Sequence, residues 1–249
     1  MQALDRGLML LVALTREGSV TLTDIALKVG MPPSSAHRVL ITLQKHGFVE
    51  FNETTQEWAI GIEAFRVGNS YLERTNLVEM AQQVMRNLME DTGETANLAI
   101  GSDGQVVFVS QVETHNPIRA FFRPGTRGHM HASGIGKALL ADMSQTEVEK
   151  TLQKTGLPEF TSNTLVSPDA LFADLKKIAN RRWSFDDEER YLGMRCVAAS
   201  IYNSSGKAIA GISVSGPTIR FADIEVDEIG PRVRRAADEI TLMTGGKIP

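Results

Sequence analysis

Two stretches of this chain carry residue types that can hold a small carboxylate. Ser133-Gly134-Ile135-Gly136 lies where a predicted strand ends and a helix begins, so Ser133 can cap the helix while the next backbone N–H groups stay free to bind an anion. Ser213 and Ser215 are two residues apart on a predicted strand, which places both hydroxyls on one face of a sheet. Gly211 leaves space beside them. Together these groups predict a site for a small acid.

Each of these features also has a plain structural interpretation. The glycines within residues 133–136 can be explained by the turn alone, without a ligand. Two serines on an edge strand can simply be solvated. Taken alone, residues 186–189 are typical of a solvated acidic turn. On the predicted strand beside the serines, one face carries Met194, Cys196 and Ala198, and these mostly small side chains are what a cavity wall requires.

Catalytic and metal-binding alternatives rest on few residues. Cys196 with His131 would make a thiol nucleophile and its base, but residues so far apart in a chain with five histidines pair by chance more often than by design. His129 and His131 on one face of a strand can bind zinc together with Asp187 or Glu188. Structural zinc sites usually contain cysteine pairs, however, and this chain has one cysteine. We therefore expect no catalytic residue, no metal and no cofactor.

Composition narrows the class of protein. The chain has 249 residues, of which 42% are hydrophobic and 22% charged, with a formal net charge of −4. This composition is typical of a globular protein of one or two domains. The longest apolar run, residues 8–14, is too short to span a membrane, and charged residues follow it without a signal-peptide cleavage site. One cysteine excludes an internal disulfide, so we expect a cytoplasmic protein without membrane partners.

The first sixty residues predict three short helices and a hairpin. The first helix has an apolar stripe made of Leu4, Leu8, Leu11 and Val12. The second begins after the capping residue Thr21, and the third begins near Ser34 after a turn with two prolines. The inward positions of the third helix are Ala36, Val39, Leu40 and Leu43. Residues 48–51 and 58–60 then form the hairpin.

This order is that of a winged helix-turn-helix, in which the third helix enters the DNA major groove. We predict that its exposed residues contact DNA: Ser34, Ser35, His37, Arg38, Thr42 and Lys45. Arg38 can pair with two acceptors of guanine. Residues 1–48 hold five basic and three acidic side chains, so their net charge is only +2. The alternative is a unit that only dimerises, which the acidic hairpin residues Glu53 and Glu57 favour.

The remaining pattern predicts a mixed domain behind a connecting helix. Helices are expected over 62–74, 77–91, 134–142, 146–155, 168–181 and 223–243, and strands over 96–100, 105–112, 117–122, 194–203 and 207–215. We predict an α+β protein with a DNA-binding domain over 1–61, a linking helix over 62–75 and a ligand-binding domain over 76–249.

Several motifs then point to a known family. They are residues 3–61 with Ala3-Leu4-Asp5-Arg6-Gly7-Leu8, Ser34 to Leu40 and Trp58-Ala59-Ile60-Gly61, then His131-Ala132-Ser133-Gly134-Ile135-Gly136-Lys137, Ser184-Phe185-Asp186-Asp187-Glu188-Glu189, Gly193-Met194-Arg195-Cys196 and Ile212-Ser213-Val214-Ser215-Gly216-Pro217. With these motifs the chain resembles the IclR family of bacterial transcription regulators, and within it the branch that regulates glyoxylate and allantoin metabolism. The resemblance implies a homodimer or a dimer of dimers, a linking helix and a GAF-like α/β effector domain with an antiparallel sheet.

The resemblance also implies an effector pocket. In the glyoxylate-responsive relatives, the pocket is lined by the positions that match Gly134, Ile135, Asp186, Cys196, Ser213 and Ser215. Backbone amides and the two hydroxyls would hold a carboxylate, while Asp186 accepts from a hydroxyl and repels a second carboxylate. Ile135 stands where those relatives tend to have alanine, and Phe121-Phe122 replace smaller residues, so we expect a reduced pocket.

We therefore expect a repressor that binds double-stranded operator DNA and responds to a small 2-oxo acid, with glyoxylate as the first candidate. The alternative is a small-acid-binding enzyme or a metal-dependent sensor whose N-terminal unit only dimerises.

Overall fold

The computed structural model describes residues 2–73, 76–221 and 223–249. Internal contacts divide the chain into two compact units, Met1–Thr75 and Asn76–Pro249, which are described separately. Within the described ranges, no helix combines the length and apolar character needed to cross a membrane.

The first unit has the helices and the hairpin that the sequence predicts. Its elements are α1 Gln2–Glu17, β1 Ser19–Thr21, α2 Leu22–Lys28, α3 Pro33–Lys45, β2 Val49–Asn52, β3 Glu57–Ile60 and α4 Ile62–Glu73. The strands form an antiparallel sheet in the order β1-β3-β2. Strand β1 was not predicted, because three residues are too few for a recognisable alternation. Arg74 and Thr75, which belong to the predicted linking helix, lie outside the described residues.

Local signals set the ends of the helices around the turn. The side chain of Thr21 accepts a hydrogen bond from the backbone N–H of Asp24, which confirms the predicted start of α2. Pro33 occupies the first turn of α3, where the missing N–H costs nothing. Ala36 and Leu40 are fully buried against a core that includes Trp58, so the predicted inward face of α3 is confirmed.

The predicted apolar stripe of α1 is present, but most of it is exposed rather than packed in the core. Leu4, Leu8 and Val12 are 71%, 54% and 57% exposed, whereas Leu10 and Leu14 are fully buried. Residues 7–14 of this helix carry no polar side chain, so periodicity alone does not choose the buried side. A Cβ built on Gly7 would lie 3.8 Å from Cγ1 of Val39 on α3, so the side that carries Gly7 lies close to its neighbour.

The second unit is a six-stranded antiparallel sheet between two layers of helices. The helices are α5 Leu77–Thr92, α6 Gly134–Ala141, α7 Gln145–Thr155, α8 Pro168–Arg181 and α9 Asp223–Met243. The strands are β4 Thr95–Ser102, β5 Gln105–Val112, β6 Arg127–His129, β7 Ser184–Asp187, β8 Met194–Tyr202 and β9 Ala208–Pro217, in the order β6-β5-β4-β9-β8-β7.

The two faces of this sheet bury different side chains. Helices α5 and α9 cover one face through a core that includes Val197, Ile212 and Val214. Helices α6 and α8 cover the other face, where Ala99 and Ala198 belong to the core. Because successive residues of a strand alternate between faces, the serines of β9 share the α6 face with Ala198. Helix α6 and the two serines therefore lie on the same side of the sheet.

Two predictions in this unit are wrong. Residues 117–122 form a loop rather than a strand, and groups of this loop bind side chains: Nη2 of Arg220 donates to the carbonyl of Ile118, and Arg119 pairs with Glu113. Residues 184–187, partly assigned to an acidic turn, form the edge strand β7, whose register sets Asp186 beside Cys196. A run with two carboxylates has low strand propensity, so pairing with β8 decides its conformation.

Candidate functional site

One face of the sheet carries a row of small and polar residues across neighbouring strands. Asp186 on β7 lies beside Cys196 on β8, and Cys196 lies beside Ser215 on β9. In the next row, Ala198 of β8 lies beside Ser213. Strand β9 is central in the sheet and both serines are buried, so the interpretation of solvated edge-strand serines is wrong.

These residues line one small cavity of about 40 Å³. It brings together the six predicted effector residues: Gly134, Ile135, Asp186, Cys196, Ser213 and Ser215. About 10–15 Å³ of such volume accommodates one water molecule, so the cavity takes about three to four water-sized groups. A cavity of this volume suits a short acid of two or three carbon atoms.

Helix α6 directs its first turn into the cavity. Ser133 caps the helix by accepting from the backbone N–H of Gly136 at 3.4 Å, as the sequence predicts. The N–H groups of the first turn have no partner within a helix, so those of Gly134 and Ile135 are available to an anion. A Cβ on Gly134 would lie 2.7 Å from Sγ of Cys196. Glycine is therefore needed here for close approach to β8.

Of the three bulky residues expected to reduce the pocket, two line the cavity and one does not. Ile135 lines it, and its Cγ2 occupies the space that Gly211 leaves, since a Cβ on Gly211 would lie 2.7 Å from that atom. Phe122 also lines it and stacks on Phe108 with ring centroids 4.6 Å apart. Phe121 is 55% exposed and is absent from the lining, so its predicted effect is wrong.

Asn97 is a buried residue beside the cavity serines that the sequence analysis missed. It is fully buried on β4, directly beside Ser213, and its Nδ2 donates to Oγ of Ser215 at 3.2 Å and of Ser213 at 3.4 Å. Its Oδ1 accepts from Nε2 of Gln111 at 2.8 Å, which fixes the amide orientation. The available signal was a lone polar side chain within an apolar strand. Asn97 donates to both hydroxyl oxygens and so positions the two serine side chains.

A buried group of charges lies behind Asp186. Lys137 is almost fully buried, and its Nζ lies 2.7 Å from Oδ2 of Asp174 and 2.5 Å from Oε1 of Glu189. Burial opposes the charge of Lys137, but Glu189 and Asp174 outweigh it and raise the pKa of the ammonium group. The backbone N–H of Glu189 donates to Oδ1 of Asp186 at 2.9 Å, which ties this group to the cavity.

Burial also changes the ionisation of the two carboxyls. It raises the pKa of Asp186 to about 6 and that of Glu189 to about 8, although the charge of Lys137 lowers both. Both side chains are buried, so the interpretation of residues 186–189 as a solvated turn is wrong for these two. Near neutral pH this pair retains a proton that two exposed carboxylates would lose.

The geometry does not support the thiol nucleophile. Burial raises the pKa of Cys196 to about 12, so the thiol is neutral at physiological pH, whereas a nucleophile must be a thiolate. Nε2 of His131 lies 3.1 Å from the carbonyl oxygen of Pro158, so this nitrogen is hydrogen-bonded to the backbone rather than to the thiol.

The two histidines also lack the arrangement that the zinc alternative requires. His129 ends β6 while His131 lies in a single 3₁₀ turn, so the two rings do not share a strand face as predicted. They meet edge to face with centroids 5.7 Å apart. Among the residues that the structure describes, no group of three histidine, cysteine or acidic side chains is placed to hold a metal ion.

In the first unit, the predicted DNA contacts lie along α3. Ser35 is half-buried. The other five are exposed: Ser34, His37, Arg38, Thr42 and Lys45. The hydroxyl of Thr42 donates to the carbonyl of Arg38 at 3.0 Å. His37 meets Trp58 of the hairpin edge to face and lines a groove of about 370 Å³ between α3 and the hairpin. Ile41 and Gln44, which were not predicted, line the same groove.

Comparison with known proteins agrees with both units. Residues 3–53 match the model of the IclR helix-turn-helix domain, and residues 69–242 match that of the bacterial transcriptional regulator IclR C-terminal domain. The chain belongs to the IclR family of bacterial transcription regulators. An α+β IclR regulator with a helix-turn-helix domain and an antiparallel effector sheet is what the motifs predicted, so family and fold class are confirmed.

Full-length relatives of this IclR-family protein are regulators rather than enzymes. It is 48% identical over 241 residues to the HTH-type transcriptional regulator BhcR of Paracoccus denitrificans, covering 97% of this chain and 86% of the relative. It is 44% identical to the transcriptional repressor IclR of Escherichia coli, covering 98% and 90%. The crystal structure of the Thermotoga maritima IclR matches with a TM-score of 0.80 at 28% identity, covering 98% and 99%.

Proposed function

We propose that this IclR-family regulator is a repressor whose operator affinity is controlled by a small 2-oxo acid, with glyoxylate as the first candidate. The observation that carries the proposal is the single cavity lined by Gly134, Ser213, Ser215 and Asp186. Repressor activity is supported by its 44% identity to a protein named as a transcriptional repressor.

The cavity offers a complete set of donors for one carboxylate. The N–H groups of Gly134 and Ile135 and the hydroxyls of Ser213 and Ser215 supply four donors, which is about the number that two carboxylate oxygens accept. Asp186 can accept from a hydroxyl on the adjacent carbon, as in a hydrated aldehyde. It also disfavours a second carboxylate, and the small volume excludes long acids. Glyoxylate meets these conditions.

We assign operator binding to α3. Arg38 and Lys45 provide cationic contacts on its exposed side, Ser34, Ser35 and Thr42 provide hydroxyls, and His37 faces the groove beside the hairpin. Because the local charge is only weakly positive, one unit gives little electrostatic affinity. Two units on a two-fold operator would supply the rest.

The exposed apolar side of α1 supports a homodimer. Leu4, Leu8 and Val12 recur every four residues on one side of the helix, and each is more than half exposed. A stripe of this kind on a regulator that must bind two half-sites is suited to contact with the same stripe of a second copy. In this mechanism the acid changes the relative placement of the two DNA-binding units and thereby the operator affinity. Dimers can pair further into tetramers.

Fluorescence anisotropy tests the proposal directly. The protein is titrated onto DNA from upstream of its own gene and onto scrambled DNA of equal length, with and without millimolar glyoxylate. We expect preference for the upstream DNA, a steep loss of affinity with salt, and a shift of affinity by glyoxylate. Equal binding to both DNAs would contradict operator recognition, whereas a preference that glyoxylate leaves unchanged would contradict only the effector.

Removing two hydroxyls locates the effector site. Ser213→Ala with Ser215→Ala should abolish the glyoxylate response and leave operator affinity unchanged, because both hydroxyls line the cavity and neither lies in the DNA-binding unit. The matched control replaces the exposed Ser162 and Ser204 by alanine and should keep the response. A response that survives the cavity substitutions would place the effector elsewhere.

A further inference from the structure

Arg190 is a cationic side chain in the wall of the effector cavity that takes no part in the proposed carboxylate site. It lines the cavity together with Tyr191, in the loop between β7 and β8. In the described part of the chain, its Nη1 is buried and has no hydrogen-bond partner. A buried guanidinium N–H without an acceptor is costly, so a rearrangement that gives the guanidinium an acceptor oxygen is favoured.

An aromatic surface holds the guanidinium in place. Its Cζ lies 3.7 Å from the ring centroid of Phe160 and 5.6 Å from that of Tyr191. Stacking on aromatic rings satisfies the flat faces of a guanidinium but not its in-plane N–H groups. The donor edge of Arg190 therefore remains available.

Hydrogen bonds from outside and within the loop fix the backbone around Arg190. The hydroxyl of Thr161 donates to the carbonyl of Glu188 at 2.7 Å, and the hydroxyl of Thr164 donates to the carbonyl of Glu189 at 2.6 Å. The N–H of Gly193 donates to Oε2 of Glu188 at 2.5 Å. The loop thus presents Arg190 with little remaining freedom, as a residue that reads ligand shape requires.

The positive charge of Arg190 acts on its surroundings. Burial is the main cause of the lowered pKa of His129, and repulsion by Arg190 lowers it further. Burial likewise dominates the lowered pKa of His131, to which Arg190 also contributes. A charge that disfavours protonation of two neighbouring histidines favours an electronegative oxygen in the adjacent cavity.

The number of donors decides which ligand atom Arg190 contacts. The start of α6 and the two serines already supply four donors, enough for one carboxylate. Arg190 is surplus to that set, so its acceptor is an oxygen elsewhere on the ligand. In a two-carbon acid, the other position is the carbon next to the carboxylate.

We propose that Arg190 is a specificity-determining residue whose guanidinium donates to an oxygen on this carbon, so that the site selects 2-oxo and 2-hydroxy acids over acids with only hydrogen or alkyl groups there. The inference rests on the proposed function of the cavity as a small-acid site. It adds a residue and a chemical class to that function.

Calorimetry with three two-carbon acids tests the selection in the full-length protein. Glyoxylate has an oxo group on the second carbon, glycolate a hydroxyl, and acetate neither. We expect the wild-type protein to bind glyoxylate and glycolate at least about tenfold more tightly than acetate, the effect of one charge-assisted hydrogen bond. Acetate that binds as tightly as glyoxylate would overturn the inference without any variant.

Substitution of Arg190 assigns the selectivity to this residue. Arg190→Gln should weaken glyoxylate and glycolate binding about 10- to 100-fold and leave acetate binding nearly unchanged, while Arg190→Lys should give an intermediate loss. The control Arg123→Gln removes the same charge from an exposed residue and should keep wild-type selectivity. Melting followed by circular dichroism checks that each variant folds.

The outcomes separate this inference from the proposed function. If the wild-type protein binds glyoxylate but Arg190→Gln weakens all three acids equally or none of them, the cavity is an acid site and Arg190 does not set its selectivity. If the wild-type protein binds none of the acids, the proposed effector class fails and the role of Arg190 fails with it.

Discussion

The exposed face of α3 and the cavity under α6 present their functional groups in opposite ways. On α3 the predicted DNA contacts are mostly exposed, and α3 packs through Ala36 and Leu40 on the other side. In the cavity the same atoms that would bind a ligand also hold the fold, since Asp186 accepts from the backbone of Glu189 and Gly134 lies against Cys196. Function and stability are therefore separable on α3 and coupled in the cavity.

Each unit contains one tryptophan whose fluorescence can follow its unfolding. The chain has two tryptophans, Trp58 in the first unit and Trp183 in the second, and both are buried. In a Trp58→Phe background the emission follows the second unit, called the effector unit below. In a Trp183→Phe background it follows the first unit, called the DNA-binding unit. Denaturant titrations then give a free energy of unfolding for each unit.

The largest expected effect is on the effector unit. Lys137→Met should lower its free energy of unfolding by about 3–5 kcal/mol, because the substitution leaves Asp174 and buried Glu189 without their cation. The transition of the DNA-binding unit should not move. Lys176→Met, at an exposed position on α8, is the matched control. A loss below 1 kcal/mol would show that the buried ion group is not coupled to the fold.

A pH profile should show a smaller effect in the same unit. Burial raises the pKa of Glu189 to about 8, above its unfolded value, so the folded state binds more protons between about pH 4.5 and 8. The free energy of unfolding should therefore fall as pH rises through this window, by at most about 1.4 kcal/mol per pH unit for one proton. Glu189→Gln should flatten the profile above about pH 6, whereas the raised pKa of Asp186, about 6, keeps a slope below it.

The controls isolate this carboxyl. The exposed Glu149→Gln changes the charge equally and should keep the wild-type profile. Wild type and both variants share His129 and His131, whose lowered pKa values give the opposite slope. The contribution of these histidines therefore cancels when one stability profile is subtracted from another. Identical profiles for wild type and Glu189→Gln would refute the raised pKa.

The smallest expected change in stability is on α3. Arg38→Ala should change the free energy of unfolding of either unit by no more than about 0.5 kcal/mol, because the side chain is exposed. Operator binding should nevertheless weaken by about 1–3 kcal/mol if Arg38 reads guanine. Anisotropy on operator and scrambled DNA measures this loss, and an equal loss on both would make Arg38 a phosphate contact. A large loss of stability would contradict the comparison.

Sequence reasoning succeeded where the signal is local. The helices Pro168–Arg181 and Asp223–Met243 have the predicted ends, and Ser133 caps α6 as expected. Periodicity and capping involve residues within a few positions of each other, so they can be read along the chain. The common face of Ser213 and Ser215 follows from the same rule.

The missed residues depend on distant parts of the chain. Asn97 meets Ser215 across 118 positions, and Lys137 meets Glu189 across 52. The loop over 117–122 is apolar enough for a strand, but its carbonyl at Ile118 accepts from Arg220 instead. No local pattern encodes these partners.

The sequence by itself determined the family, the order of the helices and most strands, and the residue types available to a carboxylate, because capping, periodicity and motif spacing are properties of short segments. Only the tertiary structure decided that α1 buries Leu10 and Leu14 rather than Leu4 and Leu8, that Asp186 is enclosed on an edge strand, and that Arg190 lines the same cavity as Ser213. These outcomes depend on which surfaces pack together, and packing free energy is a property of the whole fold rather than of any short segment.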